Sequence, residues 1–81
     1  MKLTHLIAAA TLAMSSNVFA MHCPLDMKKI DAALAQNPSL SSEEMELVIQ
    51  LRAEGEQLHK AGKHSESVEV LGEAMEILGI E

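Results

Sequence analysis

"AEGEQLHKAGKHSESVEVLGEAMEIL", residues 53–78, decides the fold of this chain. Its apolar residues do not alternate; they recur at helical spacing on either side of one glycine. Upstream of Gly62, the positions Met45, Val48, Leu51, Gly55 and Leu58 step by three and four, which puts them on one face of a helix. Downstream, His64, Val68, Leu71, Met75 and Leu78 do the same, with Ala74 beside them. Gly62 suits the left-handed residue that closes a helix. The spacing therefore predicts a helix over 42–61, a turn too short to do anything but reverse the chain, and a second helix over 64–78 that Gly79 ends. The first of these has a marked start. Ser41 followed three residues later by Glu44 is a capping box, and Leu40 is placed to staple onto Met45.

Further toward the N-terminus, Met27, Ile30 and Leu34 share a face and predict another helix over about 25–36. Pro24 suits a first helical turn, where its missing N–H is not needed. Asp26 favours the positive helix start. Asn37-Pro38 closes the segment, because a residue before proline avoids the helical region. No segment has the alternation of a strand. The only aromatic residue is Phe19, so the core has to be built from Leu, Ile, Val, Met and Ala, a set that suits packed helices better than a sheet. The fold class that follows is all-α: a three-helix mini-domain, an antiparallel hairpin plus one preceding helix.

The hairpin resembles a tetratricopeptide repeat, a helical hairpin of ~34 residues with small side chains where its helices touch. Gly55 stands at the small position of the first helix, with Leu58 as its apolar partner. Gly62 matches the turn glycine and His64 the large residue after it. Ser67, Leu71 and Ala74 match the small, large, small positions of the second helix. Ile30, Ala33, Leu34 and Pro38 match the tail of a preceding repeat. Together these cover about one and a half degenerate repeats, with a first helix about two turns longer than the motif's. The departures are Ser67 for the usual Ala, His64 for Tyr, Leu51 for the leading Trp and Gly79 where Pro is common. The resemblance implies a protein or peptide partner on the concave face, at Ile49, Arg52, Glu56, His59 and Lys60. Read by themselves, Arg52, Glu56 and Lys60 are i,i+4 charge pairs on a solvated helix face.

The first 20 residues read as an export signal. Lys2 supplies the positive start, Leu6 to Met14 the apolar run, and Val18-Phe19-Ala20 the small-residue cleavage pattern. The apolar run is far shorter than the ~20 residues that span a bilayer. The expected product is a periplasmic single domain over residues 21–81, starting at Met21 and without stable membrane insertion. Its charged residues are Lys28, Lys29, Arg52, Lys60 and Lys63 against all 12 acidic residues. So acidic a chain disfavours nucleic acid and anionic lipid, whose affinity rests on positive charge.

Directly behind the expected cut lies "MHCPLDM", residues 21–27. His22, Cys23, Met27 and Met21 make a soft donor set of the kind that selects Cu(I). Cys23 is the only cysteine, and in an exporting compartment an odd cysteine has three fates: a metal ligand, a disulfide to a second copy of the chain, or an inert buried thiol. Met27 also fits the core stripe of its helix, and His59 and His64 flank the Gly62 turn. Two histidines at that spacing are weak evidence for a metal, and His64 at an apolar position reads first as a packed histidine. Catalytic signals are missing. There is no Gly-rich phosphate loop, and ~60 residues of aliphatic helix offer little concavity for a nucleophile with its base. No enzyme activity and no resident cofactor are expected.

Overall fold

The computed structural model describes residues 22–81; the expected signal over 1–20 and Met21 lie outside the described residues. Helix α1 covers residues 22–35, α2 Ser42–Lys60 and α3 His64–Leu78. The all-α class and the three helices match the expectation, with two shifts at the ends. The first helix already includes residue 22, so Pro24 sits within its first described turn instead of opening it. A proline is accommodated there because the first N–H groups of a helix have no partner inside it. The second helix stops at Lys60, one residue early, a difference that end-fraying makes unremarkable in energy.

The capping box of α2 is formed. Glu44 N–H donates to Ser41 Oγ at 3.1 Å, and Ser41 N–H donates to the Glu44 carboxylate at 3.0 Å. At the other end, Gly62 takes φ +80°. Its N–H donates to His59 O, and Lys63 N–H to Leu58 O, the paired bonds of a Schellman closure. An added Cβ at Gly62 would meet nothing within 4 Å, so the dihedral alone asks for glycine here. Asn37 closes α1 at φ 51°, a left-handed position that Asn tolerates better than most side chains.

The hairpin is drawn together at one point. Gly55 is buried, and a Cβ built there would stand 2.6 Å from Leu71 Cγ. Leu71 therefore lies directly on the α2 backbone. Beside it, the fully buried Ser67 donates its hydroxyl to Gly55 O at 2.6 Å. The core is aliphatic and sulfurous: Cys23, Met27 and Ile30 from α1, Val48 and Leu51 from α2, Leu71, Ala74 and Met75 from α3. Among the described residues no helix is long and apolar enough to cross a membrane.

Polar contacts tie α1 down along its length. Arg52 grips Asp31 with two parallel bonds, Nε to Oδ1 and Nη2 to Oδ2, each 3.0 Å. Lys29 donates to the carbonyl of Glu81 at 2.9 Å. The start of α1 lies where α2 ends and α3 begins, and this end of the bundle carries most of the chemistry.

Candidate functional site

Cys23 is in the first described turn of α1 and has no exposed surface. Its Sγ lies 3.6 Å from His64 O, at the first residue of α3. His59, in the last turn of α2, completes the group. One donor atom from each of Cys23, His59 and His64 falls within 4.8 Å of the other two. The imidazole centroids are 5.1 Å apart and the rings are tilted by 60°. Nδ1 of each histidine is buried and has no hydrogen-bond partner. Three helix ends therefore converge on one small space lined by a thiol and two imidazoles.

Asp26 sits one turn after Cys23 and is 3% exposed. His22 Nδ1 meets its Oδ2 at 2.9 Å, an i,i+4 contact, while Oδ1 is buried without a partner. A carboxylate closed off from water with one oxygen unanswered is costly. Its place follows from spacing: Cys23, Asp26 and Ile30 fall on one face at three and four residues, and that face is the one α1 buries.

The soft cluster expected at the N-terminus is not gathered as a set. Cys23 is central to the site. His22 is turned to Asp26. Met27 is in the core one turn further along α1, and its sulfur accepts from Arg52 Nη1 at 3.3 Å. Met21 lies outside the described residues. The full burial of Cys23 also means that a disulfide to a second copy requires α1 to lift off the hairpin.

The expected partner face of α2 divides in two. Ile49 is 53% exposed and Lys60 is open to solvent. Glu56 is half-buried and bonded on both sides, by Arg52 and by Lys60 at 3.3 Å. Arg52 and His59, by contrast, are covered by this chain's own α1, through Asp31 and Met27 in one case and Cys23 in the other. Arg52 holds the Asp31 carboxyl below the usual carboxylate range, chiefly through their hydrogen bonds. It lowers Glu56 too, with Lys60 adding to the effect. The guanidinium is in turn held more firmly in its charged form, first by Asp31.

Sequence spacing pointed to Cys23 and to the histidine pair separately. It did not point to their meeting, because residues 23 and 64 are brought together only by the packing of α1 on the hairpin turn. Asp26 was legible only as a helix-start acid; the signal for its burial was its place on the Cys23–Ile30 stripe. Comparison with curated proteins gives no match, and comparison with solved structures gives none. A family model does match, over residues 21–81, and the chain belongs to the PA14_33160 family.

Proposed function

We propose that this chain is a small exported binding protein without catalysis of its own, in which a tetratricopeptide-like hairpin serves a protein or peptide partner. The observation that carries this is the hairpin crossing. Gly55, Ser67, Leu71 and Ala74 stand at the motif's small and large positions, and all four are buried where α2 meets α3. The partner's footprint on α2 centres on Ile49, with Lys60 and the open edge of Glu56 beyond it. An exposed aliphatic side chain beside a ladder of bonded charges suits a peptide that brings its own apolar anchor. Export to the periplasm rests on the signal pattern of residues 1–20, and the family match begins at the residue after the expected cut.

The alternative, a Cu(I) carrier using His22, Cys23, Met27 and Met21, has less behind it, since Met27 and His22 are engaged elsewhere. Photo-crosslinking in the producing cell tests the favoured function. A crosslinking side chain at Ile49 is expected to give a discrete adduct that the same group at Glu69, on the exposed face of α3, does not. Identical adducts at both positions, or none at Ile49, would overturn it. Intact mass of the isolated protein tests export, with a chain starting at Met21 as the expected result.

A further inference from the structure

We propose that Cys23, His59 and His64 form a binding site for one thiophilic d-block cation, of the Zn(II) or Cu(I) class. Distance is the first support. Around an ion with bonds of ~2.0–2.1 Å to imidazole nitrogen and ~2.3 Å to thiolate sulfur, neighbouring donors stand roughly 3.3–3.8 Å apart, the lower part of the range for a tetrahedral ion and the upper for a trigonal one. The three donor atoms here already lie within 4.8 Å of one another. A contraction of about an ångström, within reach of rotation about the histidine side-chain torsions, closes the set.

The second support is the state of the three side chains. Both Nδ1 atoms are shut away from water with no partner, where almost every buried polar atom has one. Cys23 Sγ has only the weak 3.6 Å contact to His64 O, so little holds it from turning toward an ion.

Thiolate with imidazole is a donor set that suits both ions of the class. Binding breaks the Cys23 S–H bond, sends the proton to the buffer and forms a sulfur–metal bond, with no change of oxidation state. The site differs from the N-terminal methionine cluster, since it uses neither Met21 nor Met27. It differs also from the partner face, because it lies under α1.

The test is native mass spectrometry of the full chain isolated from cells, titrated in separate arms with Zn(II) and with Cu(I) kept reduced under anaerobic conditions. One equivalent is expected in at least one arm, and competition with a chelator ranks the two ions. His59→Gln and His64→Gln should each weaken binding by at least the ~10–100-fold that loss of an outer-shell partner costs. His22→Gln should leave it unchanged. The chain has no Trp or Tyr, so a thiolate charge-transfer band in the near ultraviolet, from Cu(I) or from Co(II) replacing zinc, appears on an empty background. It should vanish in Cys23→Ser. Circular dichroism checks each variant; where Cys23→Ser loses helix, the two histidine variants decide. No bound equivalent in either arm overturns the proposal. So does binding that survives the double histidine variant and is lost in His22→Gln.

Discussion

Gly55 is the residue on which the hairpin turns. Replacing glycine by alanine inside a helix ordinarily gains about 1 kcal/mol. Here the new methyl would run into Leu71, which is itself fully buried and cannot step aside without strain of ~1–3 kcal/mol. Gly55→Ala is therefore expected to lower the urea midpoint, and its sign should reverse in a Leu71→Ala background, where the space is free. A Gly55→Ala protein more stable than wild type would show that the helices do not touch there. Ser67→Ala removes the 2.6 Å bond to Gly55 O and should cost ~0.5–1.5 kcal/mol in the same assay. Both positions were visible in the sequence, because small residues at helical spacing around a turn glycine leave few other arrangements. Asp26 was not. Its charge argued for solvent and a helix start, and only the tertiary position of α1 made it a buried group.

Among the elements, α2 and α3 follow local rules almost alone. The Ser41–Glu44 box makes a clear forecast: Ser41→Ala should cost about 1 kcal/mol, and Glu44→Ala less, both read from thermal melts by circular dichroism. An unchanged melt in Ser41→Ala would mean that the cap is carried by water instead. The placement of α1 obeys no local rule. Its stripe announces that it must be buried, yet the register on the hairpin comes from contacts distant in sequence: Cys23 with His64, Asp31 with Arg52, Lys29 with Glu81. That is why α1 covers Arg52 and His59 of the partner face foreseen on α2 and leaves Ile49 and Lys60 open. Asp31 is half exposed, so water screens its ion pair, and Asp31→Asn should cost less than ~1 kcal/mol. Its sharper effect should be on α1 alone, as faster amide exchange in residues 22–35 than in α2 or α3.

At the scale of the whole molecule, a domain of ~60 residues draws only a few kcal/mol from one aliphatic core, so its charges matter to its acid tolerance. Folding lowers the proton affinity of Asp31, through Arg52, and of Glu56, through Arg52 and then Lys60. Groups shifted this way contribute fully above the ordinary carboxylate range, and that contribution fades as pH falls through their depressed folded values. Melts taken between about pH 7 and pH 2 should show stability holding above the ordinary carboxylate range, then declining as pH enters that range and falls toward the depressed folded values. Arg52→Leu should flatten that acid limb, and an unchanged limb would mean that other carboxylates set it. The convergence of three helix ends has a topological consequence as well. Cys23 and His64 are 41 positions apart, so a bond through a shared ion would tie α1, α2 and both connections into a ring. That ring exists only while the three helix ends are together, so unfolding releases the ion and the fastening is reversible. The melting temperature would then rise with the logarithm of free ion concentration by mass action, making the persistence of this small fold a reporter of the ions around it.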